Sequence, residues 1–355
     1  FFINKLKFFH IVLFTIILFL STFKISNSYG NTFKVSEIEV TEQFDLKFNK
    51  KNVFDKAFKS AFYQLISMVT STADRKKLKN TDLSTIKTLI DSFNISNERF
   101  TNEKYIAVFN VNFDKKNTLL FFESQNIFPS IPKKLDVLLV PILVDVGKEH
   151  IVLYNENPFF KIWNDQKQNF HLLNYILPDE DIEDIKFLNR NYEIIENYDY
   201  SKIIEKYALK NFIINIIYKY DDKITILSKI KLKDTKKTIN LDYKNIDYDS
   251  EDSLLVLIDN LKNIYEDNWK RINEINTSIK LPITVSIETK SNKKITRLEK
   301  ELTKMDLVSS YKVLSVDSKK ILYKIIYNGS PKNFLLEIEE SGLEVNKDNQ
   351  IWKIQ

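Results

Sequence analysis

The chain contains no cysteine, so disulfides, thiol catalysis, zinc–thiolate centres and iron–sulfur clusters are all excluded. Glycine is nearly as scarce, with only Gly30, Gly147, Gly329 and Gly342 in 355 residues. Phosphate-cradling loops need clustered glycines so that backbone can approach the ligand. No such loop can be assembled here, and no nucleotide cofactor, nor any other, is expected. The serine nucleophile elbow needs glycines on both sides of the serine and is missing for the same reason. Arginine occurs only at Arg75, Arg99, Arg190, Arg271 and Arg297, and the remaining basic residues are lysines. Bidentate phosphate recognition leans on arginine. Of the net charge of +5, three units belong to Lys5, Lys7 and Lys24, in a leading segment without acids. The rest of the chain is close to neutral and carries no electrostatic footprint for nucleic acid.

The leading segment itself has a clear pattern. Lys5 and Lys7 precede an apolar run from Phe8 to Leu20, interrupted by His10 and Thr15, and a polar stretch follows with Ser26 and Ser28 at alternate positions. A positive start, a short apolar core and small residues before a cut are the parts of a secretory signal. Residues 1–28 are therefore expected to be a signal peptide, placing the protein in the periplasm of a Gram-negative bacterium. The alternative keeps residues 8–20 as an inner-membrane anchor, although a spanning helix needs about 20 apolar residues. A membrane partner is expected only in that second case.

Beyond the signal, three units are legible. Residues 32–125 read as a small α/β domain. The alternation of Phe33 to Val40 predicts a half-buried strand. Val53, Phe54, Ala57, Phe58, Ala61, Phe62, Leu65, Ile66 and Val69 then make one helical stripe. Thr81-Asp82 caps a second helix with Leu83, Ile86, Leu89 and Ile90 inward. Strands over 95–101 and 105–113 and a helix from Asp114 complete a β-α-α-β-β-α order.

The proline-bearing linker Phe128-Pro-Ser-Ile-Pro-Lys-Lys134 marks a boundary. Residues 133–273 read as a mixed-sheet layered α/β domain, with an almost wholly apolar strand over 135–144 and a long helix from Ser250 to about Asn273. Residues 279–355 follow the order β-α-β-β-α-β, which suits a ferredoxin-like fold. The expected class is thus α/β and α+β, in three small modules.

Several local strings resemble one known family. They are Phe54-Asp-Lys-Ala-Phe-Lys-Ser-Ala-Phe62, Tyr105-Ile-Ala-Val-Phe-Asn-Val-Asn-Phe-Asp114, Val137-Leu-Leu-Val-Pro-Ile142, Asn157-Pro-Phe-Phe-Lys-Ile-Trp163 and Asp181-Ile-Glu-Asp-Ile185, with Trp269-Lys270 and Trp352. Together they resemble the bacterial envelope family catalogued as domain of unknown function 2066, from which the chain departs by having Phe159 where a second Trp is common. That family has no assigned activity. The resemblance implies an exported protein with this domain order.

Candidate chemistry is sparse. The acidic run Asp179-Glu-Asp-Ile-Glu-Asp184 offers the oxygens Ca²⁺ requires, but no glycine provides the turn of a calcium loop. At a helix start, acids instead cap free N–H groups and favour the macrodipole. His150 and His171 fall in different elements and do not suggest zinc, so no metal is expected. Tyr154, Asn157, Phe159 and Trp163 are the candidate binding residues, as an aromatic rim for a peptide or glycan. The competing reading has Pro158 setting a helix while Phe160 and Trp163 pack on the sheet. No catalytic residue is singled out. The expected function is a non-catalytic adaptor for an envelope protein or for peptidoglycan. The alternative is a hydrolase using paired carboxylates, whose members meet only in the fold.

Overall fold

The computed structural model describes residues 33–355, apart from residues 102, 166–167, 222, 249, 277 and 348–350. The expected signal peptide therefore lies outside the described residues.

The first module opens with β1 (Lys34–Gln43), whose inward side chains Val35, Ile38 and Val40 are buried. Helix α1 (Lys50–Val69) presents Val53, Ala57, Phe58, Ala61, Phe62, Leu65 and Ile66 to the same core, as the stripe in the sequence requires. Helix α2 (Thr72–Leu78) follows and was not expected. It buries only Leu78, so it leaves no apolar periodicity to read, and it is held by its Ser71 cap. Helix α3 (Leu83–Leu89) is capped by Asp82, and β2 (Ile90–Thr101) and β3 (Lys104–Phe113) form a hairpin. Ile90, expected inside the helix, starts the strand instead. Helix α4 (Lys115–Ser124) closes the module over an antiparallel sheet of order β1-β3-β2. Strand β1 shifts register between Val35 and Ile38, where Glu37 takes a left-handed φ of 61° and donates its N–H to Asn110 Oδ1 at 3.2 Å. Such a bulge bends the strand and re-aims its side chains.

The second module is built on β4 (Leu135–Asp145), buried from Val137 to Val144. Strand β5 (His150–Val152) pairs antiparallel with the far end of β4. Helix α5 (Pro158–Ile162) leads to β6 (Leu173–Ile176), which runs parallel to the near end of β4. Helices α6 (Ile182–Arg190) and α7 (Ser201–Glu205) precede β7 (Phe212–Lys219), β8 (Lys223–Leu232) and β9 (Thr235–Lys244). The sheet order is β5-β4-β7-β8-β9, with β4 and β7 parallel and the remaining neighbours along this path antiparallel. Helix α8 (Glu251–Ile272) covers one face, while Leu188, Ile195, Tyr200 and Ile203 cover the other. Alternate β4 side chains serve the two cores, Val137 and Leu139 on one side and Leu138 and Val140 on the other. A strand buried on both faces can be apolar throughout.

The third module comprises β10 (Leu281–Glu288), α9 (Asn292–Lys304), β11 (Val308–Val316), β12 (Lys320–Tyr327), α10 (Pro331–Glu340), β13 (Val345–Asn346) and β14 (Trp352–Ile354). Its sheet order is β11-β12-β10-β14-β13, with β10 and β14 parallel. Omitting the two-residue β13, the strands stand in the order of the split βαβ arrangement. The class is α/β and α+β.

The modules are joined by specific bonds. Ser130 of the linker donates its N–H to Val69 O at 2.6 Å, and Ile131 donates to Asn273 O at 2.9 Å. Lys270 on α8 is buried and donates to Ser67 O on α1 at 2.6 Å. Lys115 on α4 donates to Met305 O, at the end of α9, at 2.6 Å.

Candidate functional site

The residues expected to form a binding rim lie in the interior. Tyr154 is buried, and its hydroxyl donates to Asp184 Oδ2 at 3.0 Å. Asn157 is fully buried, accepting the N–H of Phe159 at 3.0 Å and donating to Pro141 O at 3.1 Å. It is the cap that starts α5, and Pro158 at the first helical position needs no N–H partner. Phe159 and Trp163 are at 0 % exposure in the core beneath α8. Trp163 packs edge-on to Tyr175 and nearly parallel to Tyr265, with ring centroids 5.6 and 6.4 Å away. The aromatic rim is thereby corrected. Apolar area of this size is better buried against a sheet than displayed at a groove.

The acidic run caps a helix. Asp181 accepts the N–H of Glu183 at 2.8 Å, and Lys206 Nζ bridges Asp181 and Asp184 at 2.6 and 2.9 Å. The hydrogen bond from Lys206 holds the Asp181 carboxyl below its usual range. His150 pairs opposite Asp145 at one end of β4, whereas His171 precedes β6 at the other. Among the described residues, no group of three or more His, Asp or Glu side chains could hold a metal ion.

A cleft of about 580 Å³ opens between the first and second modules. One wall is the bulged start of β1, Lys34 to Glu37, with Gln64 and Met68 of α1. The opposite wall is the segment around Asn164, Asn169 and His171 and the strand β6, with Lys134 and Asp136 beside it. Its lining is rich in amides, which both donate and accept hydrogen bonds. Asp136 accepts from Asn174 Nδ2 at 2.8 Å, and Asn164 donates to Tyr175 O at 3.2 Å.

The floor is unusual. Tyr175 and Lys262 both line the cleft, yet they are only 5 % and 3 % exposed. Lys262 Nζ sits 5.9 Å from the Trp163 ring centroid and 6.0 Å from that of Tyr175. One turn along α8, buried Glu266 accepts the N–H groups of Leu172 and Leu173 through Oε1, at 2.9 and 2.8 Å. Burial raises the Glu266 carboxyl above its ordinary range, against the pull of those two bonds and of Lys270. Four polar atoms of this neighbourhood are buried without a hydrogen-bond partner among the described residues: Trp163 Nε1, His171 Nε2, the Tyr175 hydroxyl and Glu266 Oε2. Such a concentration is costly, since each unmet group forfeits about 1–3 kcal/mol. Burial, reinforced by the Lys262 charge, pushes the His171 imidazole down to about 4.

Of the expected binding residues, only Trp163 borders this floor, from behind Tyr175. A signal was present: Lys262, Glu266 and Lys270 recur at four-residue spacing, each next to Leu261, Tyr265 and Trp269 on the inward stripe of α8. Charges embedded in an apolar stripe mark a buried polar cluster.

No family model matches the chain, and no curated protein matches it. Among the described residues, no helix is long and apolar enough to cross a membrane.

Proposed function

We propose that this chain is an exported envelope protein that binds a cell-wall component without chemically altering it, in the cleft between its first two modules. The observation that carries this reading is the cleft's lining of side-chain amides and lysines over a floor of buried Tyr175 and Lys262. Amides match hydroxyl and N-acetyl groups, and a position between modules is a preferred place for ligands. The lining includes two carboxylates, Glu37 and Asp136, the latter already engaged by Asn174. Binding is therefore favoured over hydrolysis by paired carboxylates. Membership of the envelope family of unknown function is part of the proposal, as is export through residues 1–28.

Calorimetric titration of the exported chain with soluble peptidoglycan fragments tests the reading. Saturable binding that Gln64→Ala and Asn169→Ala weaken supports it. Absence of heat at millimolar fragment would overturn it, and release of cleaved products would replace it with an enzyme. Fractionation of tagged cells, with sequencing of the amino terminus, tests export. An intact terminus on membrane-bound protein would replace cleavage with anchoring.

A further inference from the structure

We infer that one end of the first module is a peripheral membrane contact, which seats Leu46, Phe44 and Phe100 in the surface of an anionic phospholipid bilayer. The inference does not depend on the cleft.

The contact is a projecting tip. Residues 44–49 link β1 to α1 and turn sharply, with Phe48 donating its N–H to Asp45 O at 3.0 Å. Phe44 donates its N–H to Glu103 O at 2.7 Å, which ties this loop to the turn of the β2–β3 hairpin that carries Phe100. Leu46 is fully exposed at the apex, and Phe44 and Phe100 are 47 % and 60 % exposed beside it. A lone exposed apolar residue is ordinary, but three together on one projecting end are not. The tip is also braced from beneath. Phe44 packs edge-on to Phe48 and Phe100, with both centroid distances at 4.9 Å, and each of these packs on buried Tyr105 at 5.1 Å.

Two features favour lipid as the occupant. The first is the backbone. Besides the bonds of Phe44 and Phe48, Lys47 donates its N–H to Asp45 Oδ1 at 2.8 Å. Donors satisfied within the module need no water when the tip enters an apolar phase. The second is charge. Lys50 and Glu98 pair at 2.8 Å at the base of the tip and cancel. Lys47, Lys51 and Lys104 are exposed around it, against Asp45 and Glu103, so lysine is in excess. Lysine stems lie along apolar surface while their ammonium groups reach anionic headgroups. A second copy of the chain is a poorer occupant. Three side chains do not supply the roughly 800 Å² per partner of a specific protein interface. A bilayer sets no such threshold, and binding grows with the apolar area inserted and the charge attracted.

The test is co-sedimentation of the exported chain with phosphatidylglycerol-containing vesicles and with phosphatidylcholine vesicles. Wild type should sediment with the anionic vesicles, and Leu46→Asp should lower its partitioning roughly tenfold or more. Because Leu46 is fully exposed, the melting temperature should not change. Comparison with wild type isolates the tip from any lipid binding by residues 1–28. In the Leu46→Trp variant, added vesicles should blue-shift the emission and brominated acyl chains should quench it.

No sedimentation of wild type, or equal sedimentation of wild type and Leu46→Asp, would overturn the inference. So would a dimer that Leu46→Asp dissolves without any binding to vesicles. Equal binding to the two kinds of vesicle would overturn the requirement for anionic lipid and the role of the lysines.

Discussion

Asp267 on α8 accepts the backbone N–H of Thr72 with both carboxylate oxygens, at 2.9 and 3.2 Å, across 195 residues of chain. Thr72 is the first residue of α2, so the carboxylate meets a free donor at the positive end of a helix. Four residues earlier on α8, Asn263 Oδ1 accepts from Arg75 Nη2 at 3.1 Å. The short helix α2, polar and poorly buried, thus takes part of its stability from another module. Asp267→Ala should destabilise the chain by about 1 kcal/mol, the usual cost of losing such a cap. Urea denaturation measures it, and an unchanged midpoint would show that the bond between modules contributes nothing.

Asn157 is expected to matter for stability. Replacing it with Ala leaves the Phe159 N–H and the Pro141 carbonyl short of partners in a fully buried place. A loss of about 2–3 kcal/mol is expected. The same urea titration reports it, and a loss under 0.5 kcal/mol, the scale of an ordinary surface change, would return Asn157 to the list of candidate binding residues.

Trp163 and Trp269 are 0 % and 1 % exposed, while Trp352 is half-buried. A chain carrying Trp269→Phe and Trp352→Phe retains Trp163 as its single indole. Its emission should be blue-shifted and barely quenched by acrylamide. Free quenching would place Trp163 at a surface and revive the aromatic rim.

His171 should make stability depend on pH. Its imidazole is held down at about 4, from an ordinary 6.5, mainly by burial and then by Lys262, with smaller like-charge contributions from Lys270 and Arg75 and an opposing one from Asp259. The folded chain therefore favours the neutral ring. The stability from this group is fully present above pH 6.5 and is lost as pH falls towards 4, because the unfolded chain takes up the proton first. The loss should be about 2 kcal/mol, given that the side chain is only partly buried. Comparing urea midpoints of wild type and His171→Gln across this range isolates it. Parallel curves would exclude the effect.

The order of elements was legible because its causes are local. The stripe Val53 to Val69, the apolar run Val137 to Val144 and the helix starts at Asp82, Asp114 and Ser250 each report on their own few residues. Helix α2 escaped notice because a capped polar turn with one buried residue has no period. Asn157-Pro158 misled for a related reason. An asparagine before a proline marks a helix start, and the same pattern serves at a surface or in a core. Only the bonds to Phe159 and Pro141 distinguish the two.

The sequence by itself determined the mixed helix-and-strand class and the three successive groups of elements, and it ruled out any chemistry needing thiols or glycine-rich loops. These follow from composition and from periods of two and 3.6 residues, which the chain carries along its own length. Tertiary structure alone decided the cleft. It brings a bulge at Glu37, a strand at Tyr175 and a helix at Lys262 to one place. No short-range pattern encodes that meeting, because it depends on how elements far apart in the chain pack against one another. The same packing moved Trp163 from a supposed rim to the space behind the floor.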